Sequence, residues 1–290
     1  MMDRYRLRYF LAVLERGNFT RAAEHCGVAQ ATLSIGIAKL EAELSCRLFE
    51  RTNRRVAPTD AGLRFAVHAR RIEAEFANAA ASVEGPARRD KLRLGVLGSL
   101  PASLLERSLN AELFAGHDLE IVEGRPADLT SLLDRSRLDA ILTVVRPDAL
   151  AALRIRAEPY LLTLPADHRL AGEAEIDVRA LRGDTVLVRR HCEALADISS
   201  FFTSHGMRPK IAARTTSDER ALAFVRLGLG IAIMPASFAS PGVVMTGIAG
   251  FRRTRDIGVQ VLPHNRRLLE ERGPVAELCR RLAREWPAGA

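Results

Sequence analysis

The chain has 290 residues, more than one compact core usually organises, so two or three domains are expected. Its 48% hydrophobic and 27% charged content argues against a disordered or membrane-embedded chain, and the most apolar stretch, 221–236, is broken by Arg226, two glycines and Pro235. The formal charge of +8 attracts polyanions without naming one. Asp3, Arg4, Arg6 and Arg8 interrupt any signal-peptide apolar region, and a cytoplasmic location is expected. Cys26, Cys46, Cys192 and Cys279 form no C-x-x-C pair, so no disulfide framework, metal site or cofactor is expected.

Leu7, Phe10, Leu11, Val13 and Leu14 fall at helical spacing, and Gly17-Asn18 supplies a stop. Thr20 can cap a second helix over 21–26, where Ala22 and Ala23 allow close packing and Gly27 permits a tight turn. A third helix is predicted over 30–44, with Leu33, Ile37, Leu40 and Leu44 as its buried stripe. Short helix, glycine turn, helix is the helix-turn-helix pattern. Residues 47–56 then read as two short extended pieces around a polar turn, a basic wing that ends at Pro58. Thr59 or Asp60 can cap a long helix over 61–83, whose Leu63, Phe65, Val67, Ile72 and Phe76 exceed what a lone helix needs. Gly85-Pro86 marks a hinge.

From Leu92 the texture becomes α/β. Strands are predicted at 92–96, 119–122, 140–145, 160–164, 185–188, 231–234 and 259–262, and helices at 103–114, 129–135, 194–205, 217–227 and 274–286, around a largely parallel sheet.

The ordered motifs Leu7-Arg8-Tyr9-Phe10, Phe19-Thr20-Arg21-Ala22-Ala23, Val28-Ala29-Gln30-Ala31-Thr32-Leu33-Ser34, Lys39-Leu40-Glu41, Leu48-Phe49-Glu50-Arg51 and Thr59-Asp60-Ala61-Gly62 resemble the N-terminal signature of LysR-type transcriptional regulators. Leu138-Asp139-Ala140-Ile141, Gly228-Leu229-Gly230-Ile231 and Met234-Pro235 look like landmarks of the same family's effector domain. The resemblance implies a mainly α winged helix-turn-helix at 1–58 and a linker or dimerisation helix with its hinge at 59–90. After them comes an α/β, two-lobed, periplasmic-binding-protein-like effector domain at 91–290, with lobe I at 91–162 and 267–290 and lobe II at 163–266.

By the same resemblance the third helix enters the major groove of promoter DNA. Gln30 can pair with an adenine edge, Thr32 can offer its methyl to thymine and Ser34 can meet base or phosphate, with Ala31 and Lys39 on the same helix. Arg51, Asn53, Arg54 and Arg55 of the wing would contact phosphates. The family pattern has polar or basic residues after Ser34, whereas Ile35 and Gly36 stand here, which puts base contacts from those positions in question; Gly36 can instead admit the DNA backbone closely. Paired linker helices, with Phe65, Ile72 and Phe76 at the seam, imply a homodimer or homotetramer on an interrupted palindrome, with RNA polymerase as a further partner.

The effector cleft implied between the lobes draws on Ser99, Leu100, Thr130 and Thr143 from one side and Arg190, His191, Cys192, Thr215, Thr216 and Ser217 from the other. Ser99 and Leu100 follow the first strand, where backbone N–H groups can hold an anion, and nearby basic side chains favour an anionic small molecule. Hydroxyls at Ser99, Thr130 and Thr216 can equally be helix caps. His191-Cys192 is similar to a pair in the peroxide-sensing branch of the family, and with Arg189 and Arg190 beside it the thiol would be activated, so a thiol-based stress sensor through Cys192 is the alternative reading. That branch uses a second cysteine shortly afterwards, where Phe201 and Phe202 stand here. No G-x-S-x-G, H-E-x-x-H or Walker loop is present, and His191 beside Cys192 lacks a third orienting group, so an enzyme is not expected.

Overall fold

The computed structural model describes residues 3–52, 55–83, 90–146, 149, 151–270 and 273–287. They form two compact units, divided at 88/89.

In the first unit, α1 (Arg4–Arg16), α2 (Phe19–Cys26) and α3 (Gln30–Glu43) are followed by the antiparallel wing strands β1 (Phe49–Thr52) and β2 (Arg55–Pro58) and by the long α4 (Asp60–Val83). Gly17 and Gly27 end α1 and α2 in the left-handed region, at φ 63° and 66°. The cap of α2 is Asn18, not Thr20: Asn18 Oδ1 accepts from the Thr20 and Arg21 amides at 2.8 and 3.2 Å, so the helix begins two residues earlier than predicted. Thr59, rather than Asp60, caps α4 by accepting from the Gly62 amide at 2.9 Å. Phe10, Leu33, Ile37, Leu40, Leu48 and Phe49 make the core, with the Phe10 ring 5.2 Å from Phe49 and 5.1 Å from Phe65.

Backbone groups at the root of the wing are also tied to the helices. Glu41 Oε1 on α3 accepts from the amides of Leu48 and Phe49 at 2.7 and 3.2 Å, and the Leu48 carbonyl accepts from the Thr59 amide at 3.0 Å. The α4 backbone passes so close to that carbonyl that a Cβ on Gly62 would lie 2.1 Å from it.

The second unit contains β3 (Asp90–Leu97), α5 (Ala102–Ser108), β4 (His117–Gly124), α6 (Pro126–Asp134), β5 (Ala140–Val144), β6 (Ala152–Pro165), β7 (Glu175–Ile176), β8 (Thr185–Arg189), α7 (Leu195–Ser204), β9 (Lys210–Thr215), α8 (Asp218–Arg226), β10 (Ala232–Pro235), β11 (Val243–Ile248), β12 (Thr254–Val261) and α9 (Pro274–Glu285). The single helix predicted over 103–114 is divided: Leu109 is extended and Asn110 caps a separate 3-10 turn, accepting from the Leu113 amide at 3.0 Å.

The sheet is mixed rather than largely parallel. Strands run in the order β4-β3-β5-β12-β6-β11-β7, with β10 also paired to β6. β3 is parallel to β4 and β5, but β12 is antiparallel to β5 and β6, and β6 is antiparallel to β10 and β11. The antiparallel pairs arise because β6 runs out of the first lobe into the second and β12 runs back. The first part of β6 pairs with β12, while Tyr160 to Pro165 pair with β10 and β11, and the Tyr160 amide donates to the Arg253 carbonyl at 2.9 Å. Ile257, Val259 and Val261 pack in the same core as Leu94, Val96 and Leu142, so β12 stays with the first lobe. The return crossing therefore falls near 253, not at the boundary of 266 expected from sequence. Tyr160, Leu162, Ile176, Phe201 and Ile233 share a separate core in the second lobe.

Gly62→Ala should cost the first unit about 3 kcal/mol, because the obstructing atom is backbone held at both ends. Chemical denaturation of the full chain should show the first unit unfolding at a lower midpoint, and an unchanged curve would mean that the wing root yields freely.

Candidate functional site

On α3, Leu33, Ile37 and Leu40 face the core, which leaves Gln30, Ala31, Thr32, Ala38 and Lys39 exposed and Ser34 half-buried. Ile35 stands on this outward face with 56% of its surface exposed. Gly36 does not: it is buried, and a Cβ there would sit 2.8 Å from the Tyr9 ring. Its lack of a side chain lets α3 pack on α1, which corrects the expectation that it admits the DNA backbone. The backbones of Arg51 and Arg55 lie in the two wing strands, and Asn53 and Arg54 fall outside the described residues.

The seam residues expected on α4 also need correction. Phe65 and Ile72 pack against the unit's own core, whereas Leu63, Val67 and Phe76 are exposed, with the Arg4 guanidinium 4.8 Å above the Phe76 ring.

In the second unit a cleft of about 390 Å3 lies between the lobes. Gly98, Ser99, Glu123, Arg125 and Asp128 line it from one side, and His191, Thr216, Ser217 and Asp218 from the other. The cleft thus gathers four of the expected positions: Ser99, His191, Thr216 and Ser217. Leu100 is buried in the first-lobe core and its amide donates to Leu97 O at 3.0 Å, so it cannot serve an anion. Thr130 donates to Pro126 O within its own helix at 2.8 Å, and Thr143 is buried within β5. Thr215 accepts from the Ser217 amide at 3.1 Å, while Ser217 Oγ caps α8 by accepting from the Arg220 amide at 3.3 Å. Arg190 is exposed and lies outside the lining.

The charge of the cleft differs from the expectation. Arg125, the arginine of its lining, bonds Asp128 at 2.7 and 3.2 Å, while Glu123 and Asp218 add further carboxylates. Asp218 is paired with the buried Arg189, whose Nε donates to Oδ1 at 2.8 Å and whose Nη2 also bonds the carboxylate. Arg125 and Arg189 are therefore each matched by a carboxylate of the chain itself, and they supply no ground for an anionic ligand.

Sequence reasoning passed over the strongest polar cluster, centred on Arg255 of β12. This guanidinium is 1% exposed and Glu158 of β6 is fully buried. Arg255 Nε donates to Glu158 Oε1 at 2.8 Å, Nη2 to Ser99 O at 2.9 Å, and Nη1 to Ser99 Oγ at 2.7 Å and Glu193 Oε1 at 2.6 Å. Glu158 Oε2 accepts from the Ser237 amide at 2.7 Å. Burial would lower the pKa of Arg255, but the charge of Glu158 and its neighbours outweighs this and holds the guanidinium protonated. Only the burial that tertiary structure imposes distinguishes Arg255, together with Arg189, from the exposed arginines of the chain.

Cys192 is 7% exposed and packs in the second-lobe core. Burial pushes its thiol up from the ordinary value, opposed only in part by the charge of Arg189, whose Nη1 donates to Sγ at 3.3 Å. The activation expected from neighbouring arginines is outweighed by desolvation. Cys279 sits in the first-lobe core and Cys26 and Cys46 belong to the first unit, so no second cysteine shares the Cys192 cluster.

A winged helix-turn-helix followed by a two-lobed α/β domain with an interlobe cleft defines a DNA-binding regulator with an effector-binding domain. Residues 5–63 match the bacterial regulatory helix-turn-helix protein, lysR family, and residues 86–286 match the LysR substrate binding domain. The chain belongs to the LysR family of transcriptional regulators. It is 29% identical over 259 residues to the HTH-type transcriptional regulator XapR of Escherichia coli, covering 82% of this chain and 85% of that one. It is 30% identical over 242 residues to the DNA-binding transcriptional dual regulator OxyR of Escherichia coli, covering 81% and 79%. A solved full-length OxyR from Pseudomonas aeruginosa, a cysteine-to-aspartate variant, has the same fold, with TM-score 0.64 at 23% identity over 100% of this chain and 99% of that one.

Under native conditions at pH 7.5, the exposed Cys46 should be alkylated by iodoacetamide far faster than Cys192. Peptide mass spectrometry checks this, and rapid native labelling of Cys192 would revive a thiol-sensing role.

Proposed function

We propose that this chain regulates transcription in the cytoplasm by holding paired winged helices on an interrupted palindrome in promoter DNA, and that a small molecule in the interlobe cleft sets that grip. The cleft of about 390 Å3, walled by both lobes, carries the reading, because a ligand touching both walls has different contacts in open and closed states. The ligand is polar and uncharged or positively charged, since Asp128 and Asp218 match Arg125 and Arg189 one to one and the lining adds Glu123 as a further carboxylate. The protein acts by binding, without chemistry of its own. Dimerisation runs through α4, whose exposed Leu63 and Val67 lie one turn apart and favour a second copy as their cover.

Base readout comes from the outward face of α3. Gln30 pairs with an adenine edge, Ser34 meets base or phosphate, and Thr32 and Ile35 meet thymine methyls. Wing residues Arg51, Asn53, Arg54 and Arg55 contact phosphates and so govern salt dependence. A relative named as a hydrogen peroxide-inducible genes activator favours the thiol reading, but the buried Cys192, with its raised pKa and no partner thiol in its cluster, favours the ligand reading.

Footprinting on DNA upstream of the protein's own gene, with and without a panel of small amines, polyols and carboxylates, should show a protected interrupted palindrome whose extent changes with one compound. No discrete footprint would overturn the reading. Within the protected site, replacing the contacted thymine by deoxyuracil should weaken the wild type about tenfold and leave an Ile35→Ala variant unchanged, because both changes remove the same methyl contact. Equal weakening of both proteins would remove Ile35 from the readout.

A further inference from the structure

Glu193 does not belong to the charge balance of the site it enters. Arg255 and Glu158 are already matched one to one, and the second Glu158 oxygen is met by the Ser237 amide at 2.7 Å. Glu193 arrives from the other lobe, on the turn between β8 and α7, as a second carboxylate. Its Oε1 accepts from Arg255 Nη1 at 2.6 Å, and Ser99 Oγ donates towards its two oxygens at 3.4 and 3.3 Å. The Glu193 side chain keeps 14% of its surface exposed, and its partner Ser99 lines the cleft. Glu219, also from the second lobe, accepts from the first-lobe Ala102 amide at 2.9 Å. At both points the donors that the first lobe presents are met by side-chain carboxylates of the second.

We propose that Glu193 is a tethered ligand: its carboxylate fills a carboxylate-binding subsite made by Ser99 Oγ and Arg255 Nη1 and so clasps the two lobes without an anionic effector. A free carboxylate would have to compete with a group delivered at high effective concentration by the chain. Burial alone would raise the Glu193 pKa, but Arg255 and its hydrogen bonds outweigh burial and keep it below the ordinary carboxylate value, so the occupant is an anion at neutral pH. The regulatory consequence rests on the cleft being the sensory site, whereas the subsite itself does not.

Truncation to alanine removes a methylene and a carboxylate, which is the size of acetate. In Glu193→Ala, Arg255 keeps Glu158 and Ser99, so no buried charge is orphaned and the variant should fold. The experiment is thermal melting of the full-length wild type and Glu193→Ala at pH 7 and constant ionic strength, in acetate, chloride or the bulkier trimethylacetate. The variant should melt roughly 5 °C below the wild type. Acetate, but neither chloride nor trimethylacetate, should restore most of that loss in a saturable way while leaving the wild type unmoved. Acetate acting alike on both proteins, or on neither, overturns the proposal. Should Glu193→Ala fail to fold, Glu193→Gln preserves the packing, and hydrogen exchange around 98–102 and 191–195 must then be faster than in the wild type; unchanged exchange overturns the proposal equally. Neither readout uses DNA or an effector, so acetate rescue in a protein without an effector response would retain the subsite and sink only the sensory reading.

Discussion

A guanidinium with 1% of its surface exposed has to find all its partners within the protein, and the demands of Arg255 organise the larger unit. It sits on β12, the strand that returns from the second lobe, and bonds Glu158 on β6, the strand that leaves the first. The two crossing strands are thereby joined by charge as well as by their ladder. Its remaining donors reach the Ser99 turn of the first lobe and the Glu193 turn of the second. Loss of Glu158, its charge-matching partner, would leave the buried guanidinium uncompensated, so the crossing strands are held by a pair that cannot be broken cheaply. The Tyr160 ring, with the guanidinium carbon 5.7 Å from its centroid, closes the cluster from the second-lobe side.

The DNA-binding unit solves a different problem, that of presenting one face of a short helix at a fixed angle. The buried Leu33, Ile37 and Leu40 set the rotation of α3, and the missing side chain at Gly36 sets its distance from α1. Glu41 then carries the constraint to the wing by holding two amides at the start of β1. Helix α3 and the wing are therefore coupled by one carboxylate, so a change at the wing root alters the position of both.

The two apparent chemical signals of the larger unit, a histidine-cysteine pair and abundant arginine, both lose force on folding. Cys192 enters a core, where desolvation exceeds the help of Arg189. Arg125 and Arg189 meet Asp128 and Asp218, residues distant or near in sequence but alike in leaving the cleft without spare positive charge. The result is a cleft whose chemistry runs against the overall charge of +8.

Local patterning was enough for α1, α3, the wing and α4, because helical periodicity, glycine stops and a threonine cap act over a few residues. It misjudged α2 by two residues, since Asn18 and Thr20 are both competent caps and sequence does not rank them in place. It missed β7, β9 and β11, which are short or half-exposed strands whose pairing partners lie elsewhere in the chain. The ordered N-terminal motifs by themselves determined the family, and spacing along one helix gave the outward residues of α3 apart from Gly36, which packs on α1. Tertiary structure alone decided the mixed sheet, the crossing near 253 and the cluster of Ser99, Glu158, Glu193 and Arg255. Ser99 and Arg255 are 156 positions apart in the chain, and charges that meet only when water has been removed between them leave no local periodicity to read.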